Sequence, residues 1–155
     1  MTGSTSTTAA HAGRSAELQV ASRLRLAITR MARRLRQESG SDLGPSQLAA
    51  LATLERHGPL TPSELAEREG IRRPGATRIL ARLAEAGLVE RLPDPADGRS
   101  AIVSIADQGR SLLRRLRRRK TAYLATRLRE LPESDRMALA RAAEVLERLL
   151  ESERA

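Results

Sequence analysis

Residues 60–105 read LTPSELAEREGIRRPGATRILARLAEAGLVERLPDPADGRSAIVSI, and the order of signals within them decides the fold. Thr61-Pro62-Ser63-Glu64 is a capping box, with Thr at the N-cap, Pro at the first helical position and Glu three residues past the cap. The short helix it opens (Glu64 to about Glu69) stops at Gly70. Arg73-Pro74 starts another, with Ile79, Leu80, Leu83 and Ala84 on its inner side, and Gly87 closes it as a C′ glycine. The periodicity then changes. Leu88–Leu92 and Ala101–Ile105 are short, partly β-branched runs flanking Pro93-Asp94-Pro95-Ala96-Asp97-Gly98-Arg99, a turn-rich connector. This predicts a two-stranded hairpin with a protruding loop.

Outward from this centre the chain is helical. Upstream, Leu18, Ala21, Leu24, Ile28, Met31 and Leu35 recur at helical spacing, which predicts a helix over about 15–38. A second runs from Pro45 through Leu48, Leu51 and Leu54 to His57-Gly58-Pro59. Residues 1–13 (MTGSTSTTAAHAG) are small and Ser/Thr-rich and read as a disordered tail. Downstream, Asp107 stands where it would cap a long helix whose stripe is Leu112, Leu113, Leu116, Tyr123, Leu124, Leu128 and Leu131. Pro132 interrupts it. A last helix follows, with Met137, Leu139, Ala142, Ala143, Leu146, Leu149 and Leu150 expected inward. The expected fold is mainly α with a small β-hairpin wing, in one domain over 14–152. A winged helix-turn-helix lies at about 45–106, between helices at about 15–38 and 107–152. Those outer helices carry more apolar stripe than one compact centre buries, which points to association of two chains through them.

Composition narrows the chemistry. The 155 residues hold no Cys, Trp or Phe, and the sole aromatic is Tyr123. Disulfides, thiolate nucleophiles and Cys-metal clusters are therefore excluded, as is the aromatic stacking platform of single-strand binders. His11 and His57 are too far apart in the chain to suggest a metal site or a catalytic triad, and no Gly-rich phosphate loop occurs. No cofactor and no enzymatic activity are expected. Neither a secretory signal nor an uncharged apolar run near the roughly 18 residues of a membrane span is seen, so a cytoplasmic protein without membrane contact is expected. The net charge is +9 and favours an anionic partner.

That charge is unevenly placed. Residues 110–132 carry nine cations against one acid, whereas 71–109 carry six against five. The case for double-stranded DNA therefore rests on arrangement. An α-helix fits the duplex major groove and a hairpin tip reaches an adjacent minor groove. Ile71–Ala84 contains Arg72, Arg73, Arg78 and Arg82 and no acid, so four cations face phosphates or guanine edges without internal competition.

These residues resemble the MarR family of winged-helix transcription regulators. The matching stretch runs from Leu48 to Leu112, through LAALATL (48–54), the quoted segment and DQGRSL (107–112), with the wing Asp97-Gly98-Arg99 and Val103-Ser104-Ile105 its most specific part. With the outer helices the resemblance covers about residues 15–150. It implies a homodimer, built from the terminal helices, that binds a palindromic operator and acts more often as repressor than activator. It implies recognition helices in successive major grooves, with Arg78 the leading contact and Gly75, Ala76 and Thr77 on the same exposed first turns. Arg99 would enter the minor groove, oriented by Asp97. The chain departs from the family pattern at Gly98, often basic or polar in relatives, and at Ala106, where a Thr usually caps the next helix.

The run Arg114-Arg115-Leu116-Arg117-Arg118-Arg119-Lys120 admits three readings: a solvated helix face, nonspecific attraction to nucleic-acid backbone, or the lining of a crevice where many relatives bind small anionic aromatic effectors. Two other functions stay open on sequence grounds. One is an architectural DNA-binding protein of low specificity. The other is an Arg-rich helical module for acidic proteins or anionic membrane.

Overall fold

The computed structural model describes residues 5–93 and 101–152, so the wing loop with Asp97, Gly98 and Arg99 lies outside the described residues. The described chain forms α1 (Thr5–Ser39), α2 (Pro45–His57), α3 (Pro62–Arg68), α4 (Arg73–Glu85), β1 (Val89–Pro93), β2 (Ala101–Ile105), α5 (Asp107–Arg129) and α6 (Glu133–Ser152). No helix among the described residues is long and apolar enough to cross a membrane. The chain divides into two compact units, residues 1–40 and 41–155.

The first unit contributes α1. This helix starts at Thr5, inside the stretch whose composition reads as a disordered tail. Ala9, Ala10 and Ala12 are strong helix formers, and no proline stands between Thr5 and the apolar repeat. Extending an existing helix adds one hydrogen bond per residue without a new nucleus, so a polar start is tolerated. Its apolar row is exposed at Leu18, Leu24, Ile28 and Met31.

The second unit is built around α2. Ala50, Leu51 and Leu54 are fully buried and meet Leu65 of α3, Ala76, Leu80 and Leu83 of α4, Val89 and Val103 of the hairpin, and Leu113 of α5. The strands pair antiparallel in the register Val89↔Ile105 to Pro93↔Ala101. Leu60 joins their edge: its N–H donates to Val103 O at 3.0 Å and its carbonyl accepts from the Val103 N–H at 2.8 Å, so a third strand position precedes the capping box. A single residue carries no alternation, which is why the sequence pattern misses it.

Two glycines fix the path. Gly70 takes φ 61° between α3 and α4, and the Ile71 N–H reaches back to Ala66 O at 2.9 Å to close the turn. Gly109, in the first turn of α5, is buried so tightly that a Cβ there would stand 2.3 Å from Leu88 O and 2.9 Å from Ile105 Cγ1. The backbone of α5 thus lies directly on the chain entering the hairpin.

Two local expectations are corrected. The N-cap of α5 is Ala106, which makes no side-chain cap bond; Asp107 is the first helical residue. Its carboxylate supports the start of the helix through the positive end of the dipole instead. The α6 stripe is not inward either, since none of its residues is buried and Met137, Leu139, Leu149 and Leu150 are exposed.

Candidate nucleic-acid interface

The site begins with how α3 and α4 are held. Thr61 N–H and Oγ1–H both donate to Glu64 Oε2, at 2.7 and 2.8 Å, and the Glu64 N–H donates back to Thr61 Oγ1 at 3.2 Å. These bonds to the carboxylate hold the Glu64 pKa below its ordinary value. The same carboxylate occupies the positive end of α3, so the cap fixes the helix rather than offering its donors to an outside anion. At the other end Glu69, the C-cap residue of α3, accepts a hydrogen bond from Thr53 Oγ1 of α2. With α3 pinned at both ends, Gly70 sets where α4 emerges.

On α4, residues 76, 80 and 83 turn into the core, and the opposite side is left to solvent. Arg72 is the N-cap, Arg73 and Pro74 form the first turn, and Thr77, Arg78 and Arg82 follow on the outer surface, all exposed. None of the four arginines forms an ion pair with a described residue. The Thr77 hydroxyl donates to Arg73 O at 3.1 Å, which leaves its oxygen able to accept from a ligand. Gly75 is half-buried.

Ala76 is a correction. Expected on the exposed first turns, it is fully buried and belongs to the core. A 3.6-residue period puts residue 76 on the side of 80 and 83, so its small size reflects packing against α2 and α3 rather than close approach to a ligand. Asp97 and Arg99 lie outside the described residues.

The structure adds a feature that the charge pattern does not reveal. Gly44, Pro45, Ser46 and Gln47 at the start of α2 face Gly75, Arg78, Ile79 and Arg82 across a groove of about 340 Å³. Gly44 caps α2 without a side-chain bond, and its own N–H is taken by Gln47 Oε1 at 3.0 Å. The positive end of α2 therefore adds to the two guanidinium groups along one groove, an arrangement that favours a phosphate oxygen over a neutral group. The signal was in the sequence as Gly44-Pro45, a helix start with no anionic cap, but its meeting with Arg78 depends on tertiary packing.

A short helix, a glycine turn, an exposed cationic helix and a hairpin wing are the parts of a winged helix-turn-helix, a class of DNA-binding protein without catalytic machinery. A MarR family model matches residues 41–100. An HTH-type transcriptional regulator of Mycobacterium tuberculosis is 42% identical over 131 residues, spanning 84% of this chain and 92% of that protein. A transcriptional regulator of Pseudomonas aeruginosa with a solved structure is similar at TM-score 0.78 and 36% identity, over 87% of this chain and 96% of the other. The repressor MdtR of Bacillus subtilis is 37% identical over 65 residues, 42% of each protein. The chain belongs to the MarR family of transcriptional regulators.

Proposed function

We propose that the protein is a homodimeric repressor that binds a palindromic operator in duplex DNA. The observation that carries this reading is the acid-free stretch of α4 before Glu85, where Arg73, Thr77, Arg78 and Arg82 stand exposed beside the positive end of α2. In this reading Arg78 contacts a base edge or its flanking phosphate, Arg72, Arg73 and Arg82 hold the backbone, and Gly75 lets the chain approach closely. Arg99, oriented by Asp97, reaches the adjacent minor groove. Ala76 acts only by packing.

The homodimer is supported by the exposed apolar rows of α1 and α6. Leu18 is 66% exposed, Met137 68% and Leu150 58%, and rows of this kind mark an association surface. The repressor role is supported by the likeness to MdtR. An anionic aromatic effector, as many relatives bind, would release the operator by binding one spacing of the two DNA lobes more tightly than the other. Salicylate is the probe: it should shift operator affinity, and no binding and no shift would remove effector control from the reading.

The DNA surface is tested by comparing Arg78→Ala with Arg117→Ala on operator duplex. Arg78→Ala should lose about 1–3 kcal/mol of binding and relax sequence preference at one base position per half-site. Arg117→Ala should leave the preference unchanged; a changed consensus would put the reading surface on α5 instead.

A further inference from the structure

The operator reading leaves one strongly charged surface unused. No acid occurs between Asp107 and Glu130, whereas Arg110, Arg114, Arg115, Arg117, Arg118, Arg119 and Lys120 follow one another along the first four turns of α5. Like charges three and four residues apart destabilise a helix, so the run carries a cost. Arg117 pairs with Glu55 of α2, and Arg114 donates to Ser111 Oγ at 2.8 Å.

The direction of this run follows from what α5 buries. Gly109, Leu113 and Leu116 turn into the core of the second unit. With about 100° per residue, Arg114, Arg115 and Arg118 fall in one sector opposite those three. All three are exposed. Meanwhile α2 packs against both α4 and α5, which have little direct contact with each other. The outer faces of α4 and α5 therefore each point away from the shared core, as two separate cationic surfaces rather than one packed pair. Both carry arginines.

We propose that Arg114, Arg115 and Arg118 hold the phosphate backbone of a second duplex segment, separate from the one faced by α4. The inference rests on the chain binding duplex DNA through α4 and adds a bridging activity to it. Guanidinium groups on a stretch of helix without acids suit a polyanion of fixed shape, whose contact releases condensed counterions and needs no base sequence. The surface is dispensable for operator choice and serves to join two stretches of DNA.

The test uses the full chain, a random-sequence duplex fixed to beads, and a second, labelled random-sequence duplex in solution at low salt. The wild type should capture the labelled duplex on the beads. The triple variant R114A/R115A/R118A should still bind the beads but capture labelled duplex about tenfold less, since each lost phosphate contact lowers affinity and salt dependence. R114K/R115K/R118K should restore capture, because phosphate contact needs charge rather than fork geometry, and this also shows that the surface tolerates substitution. No capture by the wild type, or undiminished capture by the alanine variant, would overturn the proposal; the latter would assign bridging to the two α4 lobes of a dimer. Loss of bead binding together with capture would place these arginines on the first duplex and overturn it as well. Sequence preference is measured separately, so failure of the operator reading is recognised independently.

Discussion

At the residue scale the firmest expectations concern Thr61, Glu64 and Gly109. Thr61→Ala removes the hydroxyl that accepts the Glu64 N–H and should cost about 1 kcal/mol of stability, measurable by urea unfolding. Glu64 has a folded-state pKa below its ordinary value, because two donors of Thr61 bind the charged form. Its stabilising contribution is therefore present above the ordinary carboxylate range and is lost as pH falls through it. The stability gap between wild type and Glu64→Ala should narrow on acidification; a gap independent of pH would show that the carboxylate charge contributes nothing. Gly109→Ala drives a methyl group into the Leu88 carbonyl and should cost about 1–3 kcal/mol or more, by the same measurement. That glycine is conspicuous in the sequence, but its reason is not, since the carbonyl it meets belongs to a chain segment twenty-one residues earlier.

At the element scale the sequence was most legible where local chemistry dictates the backbone. The capping box places α3 at Pro62, the Gly70 turn places α4 at Arg73, and β2 spans Ala101–Ile105 as its β-branched run predicts. Legibility fell where tertiary packing decides. Ala76 reads as a surface residue until Leu80 and Leu83 show which side of α4 is covered, and Leu60 joins the sheet through one reciprocal pair of bonds to Val103. The start of α1 at Thr5 escaped because low-complexity composition is a poor guide once an adjoining amphipathic helix supplies the nucleus. Of the candidate site, the exposed arginines of α4 were readable from the acid-free stretch; the groove they share with the start of α2 was not, because Ser46 and Arg78 are thirty-two residues apart. The Arg117–Glu55 pair links α5 to α2 at a largely exposed position. Exposed pairs contribute about 0–1 kcal/mol, so Arg117→Ala should unfold at nearly the wild-type urea midpoint.

At the scale of the whole molecule, binding a palindromic operator requires two chains. The exposed rows of α1 and α6 are continuous enough along each helix to bury a partner, and a regulator of a palindromic site needs a two-fold axis. The protein should elute in gel filtration near twice its 16.9 kDa chain mass, and a strict monomer would undo the operator model. Charge acts at this scale too. In the proposed function the cations of 110–132 would raise encounter rates with DNA through their long-range field, while the few arginines of α4 would set what is bound. Salt should therefore weaken binding to every duplex, and Arg78→Ala should alter the choice among them.

The most direct measurement of the central claim is selection of bound sequences from random duplex DNA at near-physiological salt with the full chain. A palindromic consensus is expected, with half-site centres about 10 base pairs apart or a multiple of that, as two α4 helices related by a two-fold axis demand. An empty selection, or a consensus without two-fold symmetry, would contradict it.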